Sequence, residues 1–197
     1  MTERVIPGEA GAIHLLAEPV PAASGSAIIC HPHPLYGGGM HDAVVVALAR
    51  GCALAGKAPV RFNFRGVGRS EGTFDRGIGE TEDVLTLARW LREEEGTETF
   101  CLMGYSFGAG IALAAAARLP VQSLVLVAPP VSMIVPTDVR TLVLLGHADQ
   151  IVPVAEAKAA FATSPETRVE VLEHSDHFFG QALDRITRLT GEFLNGA

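Results

Sequence analysis

Six short apolar runs, most of them separated by segments of helical periodicity, constrain this chain more than any other feature of its sequence. The runs Ala27 to Cys30, Pro59 to Phe64, Phe100 to Met103, Leu124 to Val127, Leu142 to Leu145 and Val169 to Leu172 have the length and composition of strands. Between and after them Asp42 to Ala55, Gly79 to Glu95, Phe107 to Leu119, Val154 to Ala162 and Gln181 to Leu194 read as helices. Successive β-α units of this kind predict a mostly parallel sheet buried on both faces, the centre of a three-layer α/β/α sandwich. In Gly79 to Glu95, Val84, Leu87, Ala88 and Leu91 form the inward stripe, and Glu80, Glu82, Arg92, Glu93 and Glu94 are expected to point elsewhere. Ahead of the alternating region, Glu3 to Ile6 and Gly11 to Ala17 suit an antiparallel pair at a sheet edge.

Composition agrees with a folded core. Hydrophobic residues make up 48% of the 197 and charged residues 19%, which excludes a disordered or solvating chain. One domain over residues 1–197 is expected. The net charge is -7, and the basic residues are scattered, so no footprint for nucleic acid or an anionic membrane surface exists. A small uncharged or weakly cationic molecule is the expected partner. Cys30, Cys52 and Cys101 show no C-x-x-C spacing and predict neither a disulfide framework nor a zinc ribbon. Met1 to Ala10 carries Glu3, Arg4, Pro7 and Glu9 where an export signal needs an apolar centre, so a cytoplasmic location is expected. Phe100 to Ala117 is uncharged and long enough for a short membrane span, yet Gly104, Ser106, Gly108 and Gly110 interrupt it, and it reads as soluble core.

The chemistry begins at Gly104-Tyr105-Ser106-Phe107-Gly108, a G-x-S-x-G that follows an apolar strand and opens an alanine-rich helix. Such a turn thrusts the serine hydroxyl out at the carboxyl end of the sheet, and the helix amides aim at the same spot. A serine hydroxyl is a weak nucleophile near neutral pH and requires a histidine base with a group to orient it. The loops G-H-A-D-Q-I-V-P (Gly146 to Pro153) and E-H-S-D-H-F-F (Glu173 to Phe179) follow two later strands and offer Asp149 and His177. Loops at the carboxyl ends of parallel strands share one face of a sheet.

Together with N-F-R-G-V-G-R-S-E-G (Asn63 to Gly72), these motifs resemble the alpha/beta-hydrolase superfamily from about Ser26 to the C-terminus. The segment H-P-H-P-L-Y-G-G-G-M (His31 to Met40) further resembles small lidless members near the dienelactone-hydrolase and serine-peptidase-like branches. The resemblance implies Ser106 as nucleophile, Asp149 as orienting acid and His177 as base. It also implies an oxyanion hole built from the Phe107 amide and a second amide after Cys30. Pro32 and Pro34 have no N–H, which leaves His33, Leu35 or Tyr36, with the offset favouring His33 and then Leu35. Tyr36, Met133, Ile134 and Phe178 flank the site as candidate substrate contacts. The connection Ala128 to Val139 is short and reads as a loop, with no lid domain.

Other readings compete for the same residues. His31, His33, Asp149, His174, Asp176 and His177 resemble a metallohydrolase inventory, but no H-E-x-x-H motif occurs and the serine motif is left unexplained, so neither metal nor cofactor is expected. His31 is better read as a loop histidine bonded to backbone. Gly66, Gly68 and Gly72 lack the ending of a phosphate-binding loop and read as a structural turn in which Arg65 and Arg69 anchor neighbours. The expected activity is hydrolysis of a small carboxylic ester through an acyl-enzyme, with thioester, amide or peptide substrates of the same mechanism as alternatives. A non-catalytic binding protein of the same fold is the reading from another class. An open apolar cleft is also compatible with a homodimer.

Overall fold

The structure, a computed structural model, describes residues 2–196; Met1 and Ala197, the ends of the expected domain, lie outside the described residues. Eight strands form one sheet: β1 (Thr2–Gly8), β2 (Gly11–Ala17), β3 (Ser26–Cys30), β4 (Ala58–Phe62), β5 (Phe100–Tyr105), β6 (Val121–Val127), β7 (Thr141–Gly146) and β8 (Thr167–Leu172). Their order is β1-β2-β4-β3-β5-β6-β7-β8, and β1 and β2 pair antiparallel at one edge while β4 to β8 and β3 run parallel. Five helices cover it: α1 (Ala43–Leu54), α2 (Ile78–Glu95), α3 (Phe107–Ala116), α4 (Val154–Ala160) and α5 (Leu183–Leu194). This is the three-layer alpha/beta hydrolase fold. Between β6 and β7 there is only a loop with one short 3-10 turn, Val131–Met133, and no lid.

Handedness distributes the helices. From β3 the chain steps to β4 on one side, then crosses back to β5 on the other, and right-handed crossovers that run in opposite directions place their helices on opposite faces. Accordingly α1 packs with α5, and α2 packs with α3. The reversal leaves a crevice at the carboxyl ends of β3 and β5, the place where open α/β sheets bind ligands. The strands β3, β5 and β7 are buried at every position, as apolar runs covered on both faces must be. The uncharged stretch from Phe100 divides into β5 and α3, and no helix among the described residues is long and apolar enough to cross a membrane.

The helix ends have identifiable causes. The Asp42 carboxylate accepts from the Val44 and Val45 amides at 2.8 and 3.4 Å and starts α1. Glu80 corrects the sequence reading, which turned it away from the core. It is fully buried, and its carboxylate accepts from the Asp75 amide at 2.8 Å and the Gly77 amide at 2.7 Å, closing the first turn of α2. A helical stripe reports spacing and not what a preceding loop brings back over the helix.

The glycine-rich turn after β4 is structural. The Arg65 guanidinium forks onto Asp83 of α2, with Nη2 to Oδ1 at 2.7 Å, while the Arg65 amide reaches the same carboxylate at 3.0 Å. Ser70 Oγ donates to the Asn63 carbonyl at 2.7 Å and accepts from the His14 amide at 2.9 Å, tying this turn to β2. Arg69 makes only an exposed contact with Glu3.

His31, directly after β3, is fully buried and bonded on both ring nitrogens. Nδ1–H donates to the Pro32 carbonyl at 2.6 Å and Nε2 accepts from the Phe64 amide at 3.0 Å, so the ring clamps the ends of β3 and β4 together. Burial lowers its pKa from 6.5 to about 4, because the charged form has no water and Nε2 cannot both bear a proton and accept one. A folded pKa below the unfolded one means that the unfolded chain takes up a proton first as pH falls. The clamp therefore stabilises fully above about pH 6.5 and loses roughly 3 kcal/mol as pH falls through to about 4. Urea denaturation at successive pH values should show the stability gap between the wild type and His31→Asn narrowing over that window and constant above it.

Candidate active site

Ser106 sits at the turn between β5 and α3 with φ 53° and ψ -122°, a conformation that side chains rarely adopt. The surroundings over-determine it. Its amide donates to the Val127 carbonyl at 2.8 Å, and its carbonyl accepts from the Ala109 amide at 2.9 Å. Backbone strain of this kind persists only where neighbouring bonds hold it.

The hydroxyl of Ser106 is 3.1 Å from Nε2 of His177, and Nδ1 of His177 is 2.8 Å from Oδ2 of Asp149. Sequence reasoning named these three residues on three separate loops, and the fold brings them into one hydrogen-bonded chain. The Asp149 side chain is almost wholly buried, and its other oxygen accepts from the Ile151 and Val152 amides, both at 2.8 Å. Those amides fix the orientation of the carboxylate. Asp176, the carboxylate next to His177 in sequence, turns its Oδ1 to the Phe178 amide at 3.0 Å. His147 and His174 are exposed.

The histidine loop is held from two sides. The Ala148 amide donates to the Ser175 carbonyl at 2.9 Å, and a Cβ on Gly146 would meet the Asp176 and Ser175 carbonyl oxygens at 2.6 and 2.7 Å. From the other side, the buried Tyr105 donates its hydroxyl to the His177 carbonyl at 2.9 Å, with the two rings 5.6 Å apart. Tyr105 was not singled out from sequence, because the middle position of G-x-S carries no signal about a loop that lies far along the chain.

Of the three amides left open after Cys30, two are committed. Leu35 donates to Nδ1 of His33 at 3.2 Å, and Tyr36 donates to the His33 carbonyl at 3.1 Å. This corrects Leu35 as a candidate donor, since the short 3-10 turn Pro34–Tyr36 directs its amide back onto the preceding side chain. Among the described residues, neither the His33 nor the Phe107 amide has a protein acceptor. Because Nδ1 of His33 accepts, the proton of its neutral ring is on Nε2. Its ring lies 4.7 to 4.9 Å from those of Tyr36, Phe74 and Phe107, and burial lowers its pKa against the opposing pull of Glu80.

A cavity of about 570 Å³ opens over Ser106 and His177, lined also by His33, Tyr36, Phe107, Pro130, Met133, Ile151 and Phe178. Ile134, expected there, does not line it; it is partly buried against the core where the chain extends after the Val131–Met133 turn. Pro130 and Ile151 line it without having been named. Tyr36 at 88%, Phe178 at 68% and Ile151 at 61% exposure form an uncovered apolar rim. No group of three or more His, Cys, Asp or Glu side chains among the described residues is arranged to hold a metal ion. Of that ligand inventory, His31, His33, Asp149, Asp176 and His177 are bonded to backbone or to each other, and His174 is exposed.

Comparison with known proteins places this geometry among relatives. Residues 34–140 match the family described as alpha/beta hydrolase fold. The matched segment holds Ser106 and ends before Asp149 and His177, whose positions rest on the distances above. An alpha-beta serine hydrolase homologue from Coxiella burnetii is 35% identical, with a TM-score of 0.92 over 100% of this chain and 97% of that one. A serine hydrolase without lid from Xanthomonas campestris is also 35% identical, with a TM-score of 0.87 over 99% and 92% of the two chains. An uncharacterized protein of Rickettsia prowazekii is 29% identical over 184 residues, 85% of this chain and 77% of its own.

The two glycines of the elbow have steric reasons. A Cβ on Gly104 would lie 2.2 Å from the Gly108 carbonyl oxygen, and one on Gly108 would lie 2.4 Å from the carbonyl oxygens of both Cys30 and His31. Backbone atoms cannot swing aside as a side-chain tip does. Gly108→Ala is therefore expected to destabilise the protein by about 1–3 kcal/mol or more. Gly180→Ala, where a Cβ meets nothing within 4 Å, should leave the melting temperature nearly unchanged in the same thermal scan.

Proposed function

The chain belongs to the alpha/beta hydrolase family, and from that premise we propose that it is a serine hydrolase cleaving a small carboxylic ester through an acyl-enzyme on Ser106. The observation that carries the proposal is the unbroken chain Ser106 Oγ, His177 Nε2, His177 Nδ1, Asp149 Oδ2, with contacts of 3.1 and 2.8 Å. In this reading Ser106 Oγ attacks the ester carbonyl while His177 Nε2 takes its proton. Asp149 holds the ring in the required tautomer and stabilises the imidazolium. The developing oxyanion accepts from the amides of Phe107 and His33, at the end of α3 where the helix dipole favours negative charge. Collapse breaks the bond to the leaving oxygen, which takes the proton from His177, and water then repeats the sequence to release the acid.

An ester is favoured because the cavity is apolar and needs only one polar centre, at Ser106. Met133, which lines the cavity, packs over Gly110. No lid shelters a long acyl tail.

A fluorophosphonate probe should label the protein, and Ser106→Ala should abolish both the label and turnover of p-nitrophenyl acetate. Asp149→Asn is expected to lower kcat by about 10,000-fold, since it leaves the ring in place but favours the wrong tautomer. Across p-nitrophenyl esters from acetate to laurate, kcat/KM should be greater for butyrate than for laurate, because no lid covers a long chain; the reverse order would contradict that argument. Turnover no faster than that of Ser106→Ala would instead favour a binding protein.

A further inference from the structure

The cleft has two chemical faces. The cavity over Ser106 is almost wholly apolar, with Phe107, Pro130 and Met133 at its inner side. Past Ile151 and Phe178 lies a second recess of about 270 Å³, lined by those two residues with Gln150, Asp176 and His177. A third, of about 510 Å³, again takes in Asp176 and Phe178 and adds His174 and Gln181. Phe178 borders all three, and His177 borders the Ser106 cavity and the 270 Å³ recess.

That shared histidine gives the recesses an order in the reaction. As the bond from Ser106 Oγ to the acyl carbon forms and the bond to the leaving oxygen breaks, the proton that left Ser106 must pass from His177 Nε2 to that oxygen. The acyl part stays with Ser106 in the apolar cavity, and the leaving part departs past His177. On that side the walls add polar groups, Gln150 and Asp176, to Ile151 and Phe178. Oδ1 of Asp176 is engaged by the Phe178 amide at 3.0 Å, while no protein donor among the described residues reaches Oδ2 or bonds the Gln150 carboxamide. Neither recess is lined by a lysine or arginine, and Asp176 is the carboxylate that lines both.

We infer that the recess bounded by Gln150 and Asp176 receives the leaving group, and that the leaving group is a polar alcohol donating hydrogen bonds from hydroxyl or ammonium groups and bearing no phosphate. The inference rests on the serine hydrolase reading and narrows its substrate class. Phosphate-bearing leaving groups such as coenzyme A meet the Asp176 carboxylate without a lysine or arginine to compensate, which sets esters of polyols or amino alcohols above acyl-CoA thioesters.

The test compares kcat/KM for n-butyl butyrate, glyceryl monobutyrate, 2-(dimethylamino)ethyl butyrate and butyryl-CoA, with fluorophosphonate labelling of Ser106 measured on the same preparations. At least one polar ester should exceed the n-butyl ester by about tenfold, the worth of one charge-assisted hydrogen bond. Butyryl-CoA should fall below the n-butyl ester. Preference for the amino ester alone identifies a cationic leaving group, and preference for the glyceryl ester alone a neutral hydroxylated one. Asp176→Asn should reduce the ratio of amino to n-butyl ester, and Gln150→Ala the ratio of glyceryl to n-butyl ester. A labelled enzyme that takes the n-butyl ester as well as both polar ones, or whose ratios survive both substitutions, overturns the inference and leaves the hydrolase reading intact. An unlabelled enzyme with no ester turnover removes that reading and the inference with it.

Discussion

Two backbone segments approach at the end of β5 more closely than any side chain allows, and the site depends on that approach. Gly108 lies against the carbonyls of Cys30 and His31, and Gly104 lies against Gly108. The contact joins β5, α3 and the end of β3 at the reversal of strand order, so one steric requirement sets three features together. Ser106 is forced into its unusual φ, the amino end of α3 faces the hydroxyl, and the chain leaving β3 passes within reach of both. His31 then fixes that chain from behind by bonding Pro32 and Phe64, which leaves the neighbouring His33 amide free at the mouth of the cleft.

The opposite wall is held by different means. The acid and base loops leave adjacent strands, β7 and β8, and are joined by the Ala148 to Ser175 hydrogen bond and by the close approach at Gly146. Asp149 does two tasks with its two oxygens, one ordering its own loop through Ile151 and Val152 and the other holding His177. Tyr105 reaches the histidine loop from the elbow itself, so both walls are referenced to β5. Between them Phe178 stands exposed, and the cleft is more polar on its Gln150 and Asp176 side than over Ser106.

Much of this was legible in the order of residues. Apolar runs between helical segments specify a parallel sheet because a strand buried on both faces has no polar side to show, and the observed strands differ from the runs mainly in where they end. The G-x-S-x-G motif was informative because strand, turn and helix surround it. Glu80 was misplaced for a matching reason: its partners are backbone amides of the preceding loop, Asp75 and Gly77, and amides leave no mark in a pattern of side chains. The same blindness kept Leu35 as a candidate behind His33 until the 3-10 turn after Pro34 committed its amide to a neighbouring ring.

By itself, then, the sequence determined the layers, the elbow and the set of residues from which an acid and a base would come, because these follow from periodicity, glycine sterics and the placement of loops after parallel strands. Only the tertiary structure decided which amide stays free, that Ile134 turns to the core while Ile151 lines the cleft, and where polar groups join the apolar lining. Those outcomes depend on distances of a few ångströms between loops remote in the chain, and such distances are set by packing and not by neighbours in sequence.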